Sequence, residues 1–492
     1  MTDLIGMERL EGSEIAQIDE LNLKPDADPE LSGDVRSKNL SHARSNDSVD
    51  AGPAPDGGLR AWSIACAAHL IIFNAWGFVN SYGLFQTYYV QVMKIGGESS
   101  VAWIGTTQVF VLFGMGTWTG RALDAGFFRS QYIVGSIISV TGLFLLSLCK
   151  SFWQIFLAQT LCVGFGYGLS FVPTLALVST YFDQKRSTAL AVAVTGSCTG
   201  GLVFPAIAET MLPRVGFPWA MRTIAFVQLA CVIAAGLVLK PRLPPRRSGP
   251  IVEWSAFKEA PYTLYLIGSF LYFWSVYVGW FIKIWRGPHE ELRPSLSFSW
   301  VGPPAARSTI YLTHEAGGPV RRFIGTFARN ALGATQATSI NLLMVLNGVG
   351  VVGRMLPAYV AQRWVGGLNL MIPLAIVASI ILYCWIAVDS MSGLWVFAVT
   401  YGIVAHGLQS LFPIVLANLT KDPSKAGVRS GMGFTIVGLA VLTGSPIAGA
   451  LIETNGGRFI GLQLFSATTM VAAAAVLLLV RWVAVGWTRE KL

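Results

Sequence analysis

From about Trp62 to its C-terminus the chain alternates long apolar stretches with short polar ones. Each stretch is about 20 residues, the length of helix that crosses the hydrocarbon core of a bilayer. Twelve such spans are predicted, at 62–85, 101–120, 132–149, 153–180, 189–212, 221–239, 263–282, 338–361, 370–388, 393–417, 428–451 and 461–483. Most are apolar around their whole circumference, so no helical stripe stands out, as expected where lipid or other helices lie on every side. A β-barrel would read as shorter segments of strict alternation, which are absent. The expectation is an all-α membrane protein with twelve transmembrane helices in two six-helix bundles.

The polar stretches orient and divide this array. Arg121 and Arg129, Lys185 and Arg186, the cluster from Lys240 to Lys258, Arg363, and Lys421, Lys425 and Arg429 all fall in even-numbered loops. Excess Lys and Arg mark the cytoplasmic side, so these loops and both termini are expected there. Residues 1–54 are rich in Asp, Glu, Ser and Asn and nearly free of aromatics, a composition for a disordered cytosolic tail. The Pro-rich, basic segment 240–260 separates an N-terminal bundle, 55–239, from a C-terminal bundle, 261–485, and 486–492 form a second cytosolic tail. Gly120-Arg121 followed by Arg129 in the second span, and Gly353-Arg354 followed by Arg363 in the eighth, read as an internal repeat.

Composition narrows the function. Of 492 residues 53% are hydrophobic and only 12% charged, roughly half the charged share of soluble domains. The net charge of +9 sits in short loops between spans, so it orients helices and does not announce a nucleic-acid partner. The six cysteines, Cys66, Cys149, Cys162, Cys198, Cys231 and Cys384, lack metal-ligand or CxxC spacing and read as small packing residues. No phosphate-binding GxxxxGK[ST] loop, HExxH or nucleophile elbow occurs, so the chain is not read as an enzyme, needs no cofactor or metal, and must draw energy from a gradient.

Polar residues inside the spans are the candidates for solute contact. Arg354 stands first, because a guanidinium in a membrane is costly unless it pairs or faces water. Two readings compete: an anion-binding fork, or a latch near the cytoplasmic end like Arg121 beside Asp124. Asn80, Asn347, His406 and Gln409 are the further substrate candidates, with interhelical hydrogen bonding as the alternative for each, as it is for His69, Asn74 and Gln108. The aromatics Trp76, Tyr82, Trp274 and Tyr277 read mainly as packing or belt residues, a few of them as pocket lining for a planar solute. Glycines crowd the fourth, fifth and eleventh spans, where small residues let helices approach closely and slide.

Two segments carry a family resemblance. Asp56-Gly57-Gly58, with Trp62 after it, resembles the acidic-Gly-Gly-aromatic signature of monocarboxylate transporters in the major facilitator superfamily. Tyr181-Phe182, with Lys185-Arg186 entering the fifth span, resembles that family's second signature. Asn80 to Gly83 and Gly353 to Pro357 are similar to its fungal branch. The resemblance implies a rocker-switch transporter in which Asp56, Gly57, Gly58, Gly120, Arg121, Asp124, Tyr181, Phe182, Lys185, Arg186 and Gly353 serve conformation. It implies a small organic solute, with or without a proton, moved through a lipid bilayer by a monomer, at the plasma membrane before the vacuole. Animal members carry a lysine where this chain has Asn80, and an aspartate one turn before the arginine where it has Gly350. Those departures turn the expectation from lactate toward a larger organic anion or secondary metabolite, efflux included. Riboflavin-like or short monocarboxylate uptake, and a solute sensor built like a transporter, remain as alternatives. The basic, Pro-rich stretch 283–322 interrupts the pattern on the outer face and reads as a translated intron or mis-assigned exon, against a genuine outer loop.

Overall fold

A computed structural model of the chain describes residues 53–246, 249–278, 336–456, 458–486, 488 and 490. The expected tail before Pro53 and the anomalous segment 283–322 lie outside the described residues. Helices account for nearly all of the rest, and no strand occurs among the described residues. In chain order they are α1 (Gly58–Gln91), α2 (Glu98–Gly114, continued by Gly116–Asp124), α3 (Phe128–Leu146) and α4 (Phe152–Tyr181). A single helical run, Arg186–Val238, follows. After it come α7 (Ala260–Val278), α8 (Gln336–Val360), α9 (Gly367–Cys384), α10 (Met391–Asn418), α11 (Ala426–Thr454) and α12 (Ile460–Val485).

The run Arg186–Val238 corrects one expectation. A loop was expected between spans five and six, yet helix continues on both sides of one residue, Gly216, at φ 76°. Glycine takes that left-handed conformation without a Cβ penalty. Pro213 and Pro218 beside it remove N–H donors, so the ladder breaks there with almost no intervening coil. We therefore label 186–215 α5 and 217–238 α6. With that division the described residues hold twelve long helices, consistent with the twelve expected spans.

The helices assort as the two-bundle expectation requires. α1 packs along α5 and α6, and α3 and α2 pack on α4. In the other half α7 packs on α12 and α11, α8 on α10, and α9 on α10 and α12. Two seams join the halves, α2 with α11 and α5 with α8. The first is lined by glycine: Gly116 faces Gly431 and Gly120 faces Gly427, with backbone atoms where side chains would otherwise stand. Such small-residue faces allow the close approach on which helix association in lipid depends. The end of the molecule that carries the basic loops is called here the basic end.

Several polar side chains buried within the first bundle pair with one another. Tyr89 donates to Gln159, whose amide donates to Gln108 at 3.2 Å, and Tyr167 donates to Gln228 at 2.8 Å. Asn74 donates to the Gln228 carbonyl at 3.0 Å. Where no water is available, such pairing between helices replaces solvation. Asn74 and Gln108 thus act as interhelical links.

Candidate functional site: a cationic pocket between the bundles

Eight helices converge on one pocket. Trp76 from α1, Phe113 from α2, Phe171 from α4, Phe273 and Tyr277 from α7, Phe412 from α10 and Phe434 from α11 line it, with Asn80, Ser197, Arg354 and Gln409 as its polar members. The rings form a continuous shell. Trp76 lies 5.3 Å from Phe113, Phe113 stacks on Phe434 at 5.5 Å, and Phe434 meets Phe412 edge-on at 5.1 Å. Phe273 closes the circuit at 5.1 Å from Phe412. Tilted and edge-to-face pairs of this kind suit the ring quadrupoles. The cavity these walls leave is about 40 Å³, room for a few water molecules, so the rings nearly fill the site.

Arg354 is the one cation among the described lining residues. It sits eleven residues before the end of the helical turn at Val365, about 16 Å along the axis, near the middle of the span. At that depth Arg354 faces the pocket, and the end of α8 lies a leaflet away. Its repeat partner Arg121 does lie at the basic end, so the two glycine–arginine pairs occupy different levels. Gly353 packs on Ile403 of α10, within its own bundle, whereas Gly120 packs on α11 of the other bundle.

The guanidinium is 6% exposed and has only neutral partners. Nε donates to Cys198 Sγ at 3.2 Å, and Nη2 donates to Gln409 Oε1 at 2.7 Å. Among the described residues no carboxylate comes within ion-pair distance, and Nη1 donates to nothing. Because an arginine can only donate, it fixes the Gln409 amide with its oxygen inward. Gln409 Nε2 is then left without an acceptor. Two unused donors therefore stand side by side beneath an aromatic shell. A buried cation with spare N–H groups is the arrangement that an anion completes.

The other candidates distribute around this centre. Asn80 lines the pocket and donates to the Ser197 carbonyl at 3.0 Å. Asn347 lies beyond it and donates to the Gly201 carbonyl at 3.3 Å, across the α5–α8 seam. Gly201 fits between the two asparagines, since a Cβ there would come within 3.0 Å of both. His406 of α10 is buried and is not among the lining residues, with Nδ1 2.7 Å from the Gly402 carbonyl. His69 likewise bridges α1 to α5 through the Val192 carbonyl and Thr199. At Gly350, a Cβ would stand 2.9 Å from both Cys198 Sγ and the His406 ring, so this chain has no room for an aspartate there.

The conformational candidates gather at the basic end, where two segments remote in sequence meet. Asp56, held at φ 51°, accepts from the backbone N–H groups of Asp183 and Lys185, and its own N–H donates to the Tyr181 carbonyl. Burial opposes ionisation of Asp56, but the N–H groups of Asp183, Lys185 and Gln184 and the nearby Arg186 outweigh it and hold the carboxyl below its ordinary value. A carboxylate at the start of α5 satisfies donors that a helix leaves unpaired. Gly57 and Gly58 let the chain pass close to Lys185 and turn at φ 78° into α1. Phe182 is fully buried against Trp62, and Arg186 donates to the Phe182 carbonyl and pairs with Asp183.

A second clasp joins the bundles. Asp124 accepts from the N–H groups of Gly427 and Val428, at 2.9 and 2.8 Å, at the first turn of α11. Arg121 donates to the carbonyls of Arg246 and Gly249, tying the central loop to α2. Thr188 donates to Gln362 at 2.6 Å across the α5–α8 seam. Sequence reasoning missed Lys425 and Arg429 as partners of Glu253 and Glu259, which tie the central loop to α11. Among the described residues no group of three or more His, Cys, Asp or Glu side chains is placed to hold a metal.

Comparison with known proteins agrees with this geometry. A family model described as Major Facilitator Superfamily matches residues 64–431. The chain is 38% identical over 436 residues to an MFS-type transporter of Gibberella zeae, an alignment covering 88% of this chain and 90% of the relative. It is 30% identical over 438 residues to an aspyridones efflux protein of Emericella nidulans, covering 88% and 80%. In fold it is similar to the crystal structure of the human organic anion transporter MFSD10, with a TM-score of 0.64 at 11% identity, over 86% of this chain and 100% of that one. The chain is thus an integral, multi-pass membrane transporter that belongs to the Major Facilitator Superfamily.

Proposed function

We propose that the chain exports a planar or aromatic organic anion, with Arg354 and Gln409 holding the acidic group and the ring shell holding the body of the solute. The observation that carries this reading is the Arg354 guanidinium, buried among aromatics with only neutral partners and a free Nη1. An anion supplies the missing charge, and rings from Trp76 to Phe434 stack on a flat solute. The Emericella nidulans relative, named for aspyridones efflux, supports the outward direction. Basic loops at one end support cytosolic termini, and the plasma membrane is the proposed site. Both walls of the pocket come from one chain, so the monomer is the proposed transporting unit.

In this reading the Asp124 clasp on α11 and the Thr188–Gln362 bond hold the basic end closed, and the bundles rock apart there to load solute from the cytosol. The described lining residues include no Asp, Glu or His.

The test is flux into inside-out vesicles for matched pairs of aromatic acids and their neutral esters, with and without a proton gradient. Accumulation of the acids by the native chain, and its loss in Arg354→Ala with α-helical circular dichroism unchanged, is the expected result. Acid transport that survives Arg354→Ala at the native rate rules out the anion-binding role.

A further inference from the structure

A groove runs down the outer surface between α3 and α6, apart from the solute pocket. Phe128, Tyr132, Ile137, Leu229, Ile233 and Leu239 mark its course, and it encloses about 440 Å³. Its floor is fixed. Tyr132 donates to the Val232 carbonyl at 2.6 Å, and Gly236 lies against the ring, where a Cβ would stand 3.1 Å from it. Its walls are exposed: Ile137 by 60% and Ile233 by 56%. From Phe128 to Thr141 the groove follows thirteen residues of helix, about 20 Å. One leaflet of the hydrocarbon core is about 15 Å deep. The groove thus opens at the basic end and reaches the bilayer middle.

A cation stands at its mouth. Arg129 lines the groove, is exposed, and has no hydrogen-bond or ion-pair partner among the described residues. Lys240, next in sequence after the lining Leu239, is exposed as well, and its ammonium has no described partner. An apolar trough one leaflet deep, capped by unpaired cations at headgroup level, matches an anionic lipid in both shape and charge.

We propose that this groove is a binding site for one anionic glycerophospholipid of the leaflet at the basic end. One acyl chain lies between α3 and α6, and the phosphate sits on Arg129 with Lys240 beside it.

The test uses the full-length chain in nanodiscs that hold a phosphatidylserine with a photoactivatable acyl chain, or the matching phosphatidylcholine. Labelling concentrated in peptides 128–141 and 229–239, and stronger for phosphatidylserine, is expected. Arg129→Gln combined with Lys240→Gln lowers phosphatidylserine labelling of those peptides by about fivefold or more per charge removed. Ile233→Trp, which fills the trough, reduces labelling by both lipids. Even labelling over all lipid-facing helices, equal labelling by the two lipids, or a cross-linked dimer through this face overturns the proposal. The mapping on the native chain decides the matter even where a variant fails to fold.

Discussion

Gly120→Ala tests the closed seam most directly. A methyl at 120 would overlap the Gly427 carbonyl, and one at 116 would lie 2.8 Å from the Gly431 oxygen, against ordinary contacts that begin at 3.4 Å. These neighbours are backbone atoms of a helix, so no rotamer change relieves the clash, and α2 and α11 must separate. Overpacking of this kind costs about 1–3 kcal/mol. In the proposed cycle the contact exists only while the basic end is closed, so the whole cost falls on that state. The ratio of closed to open molecules then drops by about 5- to 150-fold. Spin labels at Gln184→Cys and Lys421→Cys, both exposed at the basic end on opposite bundles, report the change as a distance distribution. Gly120→Ala should shift it toward longer distances, Gly116→Ala less, and Gly348→Ala not at all, since a Cβ at 348 meets nothing within 4 Å. A folded Gly120→Ala protein with the native distribution would refute the argument that glycine permits the seam.

Three further outcomes follow from the site. Arg354→Lys keeps the charge but loses the planar fork that reaches Cys198 and Gln409, so acid flux should fall by about tenfold or more while neutral esters are unaffected, read by vesicle uptake. Gly350→Ala, wedged between Cys198 and His406, should destabilise the protein by about 1–3 kcal/mol in thermal melting with detergent. Asp56 and Glu253 both have carboxyls held below their ordinary values of 3.8 and 4.5; for each, burial opposes the shift and hydrogen bonds with nearby cations outweigh it. Their contribution is complete above those ordinary values and is lost as pH falls through the lowered ones. The share of thermal stability that these two carboxyls carry should hold from neutral pH to about pH 5 and fall in stronger acid. Asp56→Asn should cost about 1 kcal/mol at neutral pH and flatten part of that fall.

The apolar runs by themselves determined the class and the helices of this protein, because hydrocarbon leaves a chain no other way to pair its backbone than to coil within each span. Local chemistry was equally legible where it rests on a few adjacent residues, as in Asp56-Gly57-Gly58 and Tyr181-Phe182 with Lys185-Arg186. That these two segments clasp each other required the packing of α1 on α5. The break at Gly216 was visible only as a glycine between prolines, and the expected loop proved to be one residue. The pocket was hidden for a physical reason. Spans that are apolar all round show no face, so Phe113, Phe273, Phe412 and Phe434 cannot be told from ordinary packing until α2, α7, α10 and α11 bring them together. Arg354 announced itself as costly, but its depth in α8 and its neutral neighbours Cys198 and Gln409 came only with the tertiary structure. Helix formation in a membrane depends on short stretches of sequence; which side of a helix meets solute depends on neighbours hundreds of residues away, and only the tertiary structure supplies those.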